Sequence, residues 1–186
     1  MSTARRLHHT LADYVSMERD SPIKHEYCDG EIYAMAGGTA AHGALAAAVI
    51  SSFGAQLPKG CRALTSDVRV RIEGSDLSTY PDALVICGAA SYDATDTHAV
   101  TNPVVVVEVT SPSSEDYDHG EKLSHYKQLP SLKAVVIVSH RTRRVTVHSR
   151  GTSWDTREFR AGEIAVISEP ALKLEVDRLY AVLEGL

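Results

Sequence analysis

Three cysteines in 186 residues, none in a Cys-x-x-Cys pair, give this chain no mark of a zinc site or a disulfide framework. Cys28, Cys61 and Cys87 are odd in number and scattered, a pattern that suits a reducing cytosol and thiols buried by packing. No apolar run approaches the roughly 20 residues that span a bilayer. The N-terminus lacks the charged-then-apolar order of a signal peptide, so the expected setting is cytoplasmic. There is no HExxH and no GxGxxG, and no Walker lysine follows Gly37-Gly38. Ser111, Ser113 and Ser114 have no evident base beside them, which disfavours nucleophilic serine chemistry. A net charge of −5 argues against a protein that coats nucleic acid indiscriminately. No repeat, low-complexity segment or linker divides the chain, so residues 1–186 read as one domain with a substantial core.

What is present is an alternation of helical and strand-like segments. A short helix is expected near Thr10 to Glu18, stopped by Pro22. His25 to Met35 reads as a hairpin turning on Asp29-Gly30, a type I′ signal. Thr39 is placed to cap an alanine-rich helix from Ala40 to Leu57. A strand is expected from Ala63 to Ile72, with Val68, Val70 and Ile72 on one face and Asp67, Arg69 and Arg71 on the other. After an Asp82 strand, a polar loop through His98 and a Glu108 strand, a helix should run from Glu115 to Leu129. A buried strand from Ala134 to Ser139 follows. The tail predicts strands near Val145 to Ser149, Thr156 to Arg160 and Ile164 to Ile167, then a helix near Val176 to Leu183. The order predicts an α/β fold, a mixed sheet with helices on its faces.

Two carboxylates stand where carboxylates are costly. Val104 to Val107 are apolar on both faces and lead into Glu108; Asp82 opens the apolar run through Ile86. A charge at the end of a buried strand costs several kcal/mol unless compensated. In antiparallel neighbours, a register that pairs Ile86 with Val104 also pairs Asp82 with Glu108. Their Cβ atoms would then lie roughly 5 Å apart on one face. A divalent cation between them removes the repulsion.

Lys122 is the second anomaly. At 100° per residue it falls between Tyr126 and Leu129 on the inward stripe of the Glu115 to Leu129 helix. It either snorkels along the helix edge or reaches the carboxylates at the strand ends. Basic residues cluster in His140 to Arg150, including Arg141, Arg143 and Arg144, and again around Arg69 and Arg71. These stretches are either solvated faces or nucleic-acid contacts. His42, at the start of a helix, is weighed as a capping or packing residue, and Glu26 as a solvated hairpin residue or a further site acid.

Tyr80-Pro81-Asp82, then Glu108-Val109-Thr110, then Lys122 resemble the metal site of the PD-(D/E)xK nucleases. The chain as a whole resembles the Uma-two family of restriction-type endonucleases in that superfamily. The shared pattern takes in "HEYCDGEIYAM", His42, "DVRVRI", "PDALVI", "VVVVEVTSPSS", "DHGEKLSHY" and "VDRLYAVL", nearly the whole length. Thr110 stands where the broader superfamily has its lysine, so the lysine role falls to Lys122. "LPSLKAVVIVS" replaces an aromatic pair found in many relatives, outside the metal site.

The resemblance implies a restriction-endonuclease-like fold with additional C-terminal strands, and metal-dependent phosphodiester hydrolysis. Asp82, Glu108 and the Val109 carbonyl would bind Mg²⁺ or Mn²⁺, hard cations that prefer oxygen. Lys122 would orient the attacking water or stabilise the transition state, and Glu26 would be an additional acid. The implied partner is nucleic acid, DNA first and RNA second. The rival class is a noncatalytic module that keeps the fold to bind nucleic acid or a protein. Poorly covered edges in the tail strands, and the need to cut two strands, predict a homodimer.

Overall fold

The computed structural model describes residues 8–186. Helix α1 (Leu11–Asp20) begins with a capping box in which the Thr10 hydroxyl accepts from the Asp13 amide at 3.1 Å. The Thr10 amide in turn donates to Asp13 Oδ2 at 2.8 Å. Strands β1 (His25–Cys28) and β2 (Glu31–Ala34) form the expected hairpin. Its turn residues Asp29 and Gly30 have φ of 45° and 83°, the left-handed pair a type I′ turn requires. Helix α2 (Ala40–Gly54) starts at Thr39, whose hydroxyl accepts from the His42 amide at 3.2 Å.

The middle of the chain supplies β3 (Cys61–Thr65), β4 (Arg69–Ile72), β5 (Leu77–Thr79), β6 (Ala83–Cys87), β7 (Ala99–Val100) and β8 (Val105–Val109). Helices α3 (Glu115–His119) and α4 (Glu121–Tyr126) follow, then β9 (Ala134–Val138), β10 (Arg144–Arg150), β11 (Trp154–Arg160), β12 (Ile164–Ile167), β13 (Leu172–Glu175) and α5 (Val176–Tyr180). Among these residues no helix is long and apolar enough to cross a membrane.

The strands form a six-stranded sheet ordered β11-β10-β9-β8-β6-β3, a five-stranded sheet ordered β2-β1-β5-β4-β7, and the β12-β13 pair. Both larger sheets are mixed, because β8 runs parallel to β9 and β4 parallel to β7. On β8, Val105, Val107 and Val109 face a core shared with Leu45, Val49 and Phe53 of α2 and Leu179 of α5. Val106 faces the opposite core, where Leu123 and Tyr126 of α4 pack against Val70, Ile72 and Leu77 of the five-stranded sheet. Glu108 shares the face of Val106 by alternation. Helix α4 therefore lies between the two sheets. Helix α1 covers the far face of the five-stranded sheet, with Tyr14 stacked on Tyr27 at 5.5 Å.

Antiparallel β6 and β8 pair Ala83 with Val107 and Val85 with Val105. One step further along the same register sets Asp82 opposite Glu108, as the sequence pattern requires. Both chain segments end at the same edge of the six-stranded sheet.

Four expectations are corrected. The strand expected from Ala63 to Ile72 is two strands in different sheets, split by a turn at Thr65 to Val68. Asp67 forms an exposed pair with Lys24 at 2.7 Å there instead of extending a strand face. The helix from Glu115 breaks at Gly120 (φ −109°, ψ −98°), where a Cβ would come within 2.9 Å of the Asp116 carbonyl. The polar stretch before His98 leads into β7, and short strands at Leu77–Thr79 and Leu172–Glu175 join the count. Lastly, Cys61 and Cys87 face one another across β3 and β6 and are joined as a disulfide, leaving Cys28 as the free thiol. Close Cα approach across such a strand pair (4.0 Å) is what lets scattered cysteines meet. The inference of a reducing compartment from unpaired cysteines therefore loses its basis.

Candidate active site

The edge where β6 begins and β8 ends collects the polar groups. Asp82 Oδ2 accepts from the Val109 amide at 2.7 Å, which ties the loop before β6 to the end of β8. His42, in the first turn of α2, brings Nε2 to 2.9 Å from the Val109 carbonyl and 3.3 Å from Asp82 Oδ2. Glu108, opposite Asp82, reaches α4. Its Oε1 accepts from the Tyr126 hydroxyl at 2.5 Å and lies 3.0 Å from Lys122 Nζ. The same ammonium is 3.0 Å from Glu26 Oε1, and the Thr79 hydroxyl donates to that oxygen as well. Lys122 thus ties a carboxylate of the five-stranded sheet to one of the six-stranded sheet, and the Tyr117 ring lies 5.9 Å from its charge. Asp118, one turn before Lys122 across the Gly120 break, is buried and accepts from Ser114 Oγ at 2.7 Å.

One lysine, with the His42 imidazole beside Asp82, faces four carboxylates. Burial, with Asp82 and Asp118 adding to it and Lys122 opposing, pushes the Glu108 carboxyl up to about 8. Burial also raises Asp118, against Lys122 and the Ser114 bond. Burial alone would lower the Lys122 ammonium, but Glu108, Tyr126, Glu26 and Asp118 more than reverse it, so the charge is held firmly. The bond to Asp82 raises His42 above its ordinary range. A site in which two buried carboxyls, Glu108 and Asp118, are reluctant to ionise is one a cation would relieve.

The donors at the strand ends are all oxygens: Asp82, Glu108 and the Val109 carbonyl. That set fits a hard divalent cation, and Mg²⁺ commonly takes one or two carboxylates and keeps waters for the rest. Among the described residues, no three His, Cys, Asp or Glu side chains converge as a complete ligand set. A metal here would rest on the two carboxylates and the carbonyl.

The basic residues divide. Arg69 and Arg71 are buried on the α1 side of the five-stranded sheet, a correction to their expected place at a nucleic-acid surface. Arg69 bonds Asp96 at 2.8 Å and the Tyr80 hydroxyl at 2.9 Å, and Arg71 pairs with Asp76. Alternation in "DVRVRI" correctly separates them from Val70 and Ile72, but it cannot reveal that α1 covers their face. Arg141, Arg143 and Arg144 lie after β9, at the same sheet edge as Glu108 because β8 and β9 are parallel. A bond of 2.8 Å between Thr110 Oγ1 and His140 Nδ1 fastens that loop to the site. Arg141 reaches Glu115 at 2.9 Å, Arg143 reaches Asp177 at 3.3 Å, and Arg144 lies 3.6 Å from Glu115. Lys127 lies over Trp154 at 5.6 Å, on the far side of the turn from Lys122.

Three contributors escape a reading of the sequence as a metal motif. Tyr126 counts as one more apolar-stripe residue until its hydroxyl is placed. Asp118 is signalled only by its four-residue spacing from Lys122. His42 has no neighbouring ligand in sequence, and its reach depends on how α2 packs on β8.

Mixed sheets flanked by helices in this arrangement are of the restriction-endonuclease-like class. The chain belongs to the Uma2 family, whose model, described as "Putative restriction endonuclease", matches residues 11–181. It is similar to the uncharacterized protein slr1290 of Synechocystis sp., 32% identical over 171 residues covering 90% of this chain and 89% of the relative. A second Synechocystis protein, sll1609, also uncharacterized, is 29% identical over 69% of this chain and 73% of its own length. The fold is also that of a crystal structure from Anabaena variabilis described as "a putative nuclease belonging to DUF820". That match has a TM-score of 0.75 at 18% identity and covers 94% of this chain and 98% of the other.

Proposed function

We propose that the protein is a divalent-metal-dependent endonuclease that hydrolyses phosphodiester bonds in DNA. The observation that carries this reading is the Lys122 ammonium, shared between Glu26 and Glu108 beside a carboxylate pair at the strand ends. Mg²⁺ or Mn²⁺ bound by Asp82, Glu108 and the Val109 carbonyl would supply a Lewis acid and a bound water of lowered pKa. Lys122, fixed by two carboxylates, would hold the attacking water or meet charge building on the phosphate. Tyr126 keeps Glu108 from rotating away, and Glu26 keeps the lysine turned toward the site. Arg141 and Arg143, exposed at the same sheet edge, would exchange their surface partners for backbone phosphates.

A duplex is cut on both strands by two sites, so the proposal includes a two-fold homodimer. The long edge strand β11, with no hydrogen-bonded strand on its outer side among the described residues, supports it. Light scattering at micromolar concentration should give twice the chain mass, and a monomer mass would remove this element. The central test is nicking of supercoiled plasmid, with an RNA substrate in parallel, by wild type and Glu108→Ala in Mg²⁺ or Mn²⁺. Metal-dependent plasmid cleavage that the variant lacks is expected. Cleavage of RNA alone would move the substrate to RNA. No metal-dependent cleavage of either would favour a noncatalytic binding module.

A further inference from the structure

His42 joins the two strands that meet at the proposed cation, yet no step of hydrolysis requires it. Its Nε2–H is placed between the Val109 carbonyl at 2.9 Å and Asp82 Oδ2 at 3.3 Å. Asp82 Oδ2 also accepts the Val109 amide at 2.7 Å. The inner oxygen of Asp82 is thus committed to protein donors, and the carboxylate plane is fixed with its other oxygen left for a ligand. A carbonyl has two lone pairs, so Val109 can accept the imidazole and still coordinate a cation.

His42 is itself confined by the chain just before it. Its backbone amide donates to the N-cap hydroxyl of Thr39 at 3.2 Å. On the ring's other side lies Gly38, where an added Cβ would sit 2.9 Å from Nδ1, closer than real Cβ contacts allow. Gly37, its neighbour, has open space where a Cβ would go. The two glycines before α2 therefore have different roles. Gly38 admits the ring against the chain, and no phosphate cradle is needed to account for it.

We propose that His42, seated against Gly38, is a positioning residue that holds Asp82 and the Val109 carbonyl in the geometry a divalent cation requires. The inference rests on the metal-site reading above and extends it to groups that do not touch the metal. Outer donors of this kind orient ligating carboxylates, and their loss commonly weakens metal binding 10- to 100-fold.

The test is Mn²⁺ titration of the full chain, followed by the loss of free-ion paramagnetic resonance signal, with circular dichroism to confirm folding. His42→Ala should bind Mn²⁺ about 10- to 100-fold more weakly than wild type. His42→Gln, which retains an N–H donor, should recover part of that loss. Gly38→Ala should weaken binding by displacing the ring, whereas Gly37→Ala should bind as wild type does. Should His42→Ala fail to fold, the contrast between the two glycine variants decides the matter. Wild-type or tighter Mn²⁺ binding in His42→Ala and Gly38→Ala would overturn the inference while leaving the metal site standing. A wild-type protein that binds no Mn²⁺ would overturn both.

Discussion

Two buried polar clusters lie on opposite faces of the five-stranded sheet, and they are built differently. Beneath α1, Glu18 pairs with His25 at 2.9 Å and Arg69 with Asp96 at 2.8 Å, and the Tyr80 hydroxyl bridges the pairs. Tyr80 accepts from Arg69 at 2.9 Å and donates to Glu18 at 2.8 Å. Glu18 and Asp96 each have a basic partner there, while Asp76 and Asp93 share Arg71. On the other face, Glu26 and Glu108 share the single ammonium of Lys122, while Asp118 and Asp82 look to a hydroxyl, an amide and an imidazole. Glu108 is pushed up to about 8 and Asp118 is raised. Charges opposed by arginine or histidine beneath α1 specify how that helix docks. A cluster short of positive charge is unfinished as a structural device and suited to receive a cation.

The sharpest way to break this contrast is to remove one cation from each cluster. Lys122→Ala should lower nuclease turnover by about 10²–10⁴-fold, the range typical of acid–base and electrostatic contributions. Lys127→Ala, whose ammonium lies over Trp154, should leave turnover nearly unchanged. Steady-state cleavage rates compare the two, and equal rates in Lys122→Ala and wild type would end the lysine assignment.

Arg69→Met should show the reverse pattern. Fully buried Asp96 would lose its charged partner, at a cost of about 3–5 kcal/mol, the usual loss on breaking a buried pair. Calorimetry should register a fall in Tm on the order of 10 °C, with metal-dependent activity per folded molecule retained. If Arg69→Met instead abolished activity without destabilising the fold, the division of labour between the clusters would be wrong.

A smaller effect concerns a histidine apart from either cluster. Burial, with Lys127 and His119 contributing, lowers His148 to about 4, while its Nδ1 meets Thr156 Oγ1 at 2.8 Å. The folded chain therefore resists protonation that the unfolded chain, near 6.5, accepts. Stability should fall as pH drops from about 6.5 through about 4. Denaturant unfolding across that window should be flatter for His148→Gln, which cannot take up the proton. An unaltered slope would mean that His148 titrates normally in the folded chain.

Much of this architecture is written locally. The Asp29-Gly30 turn, the Thr39 cap and the apolar strands around Asp82 and Glu108 follow from residue chemistry at short range. The β6–β8 register follows from aligning two buried runs, and it brings Asp82 opposite Glu108 without further information. Helical phase turns Lys122 inward because α4 holds Lys122, Leu123 and Tyr126 on one unbroken turn, although Leu129 lies beyond it. What could not be read depends on which surfaces meet. Arg69 and Arg71 look solvated until α1 is laid over them. Cys61 and Cys87 look unrelated until β3 pairs with β6. His42 looks like a capping residue until α2 packs on β8 and delivers its ring to Val109.

The central claim, that the unfinished cluster is a cation site, is tested most directly by thermal unfolding with and without Mg²⁺ or Mn²⁺, in wild type and Asp82→Asn. Binding to the native state alone should raise wild-type stability by about 2.7 kcal/mol at a metal concentration 100 times the dissociation constant. Asp82→Asn, which keeps an acceptor for the Val109 amide but loses the charge, should forfeit most of that rise. An equal metal-induced shift in the variant would contradict a site shared by Asp82 and Glu108.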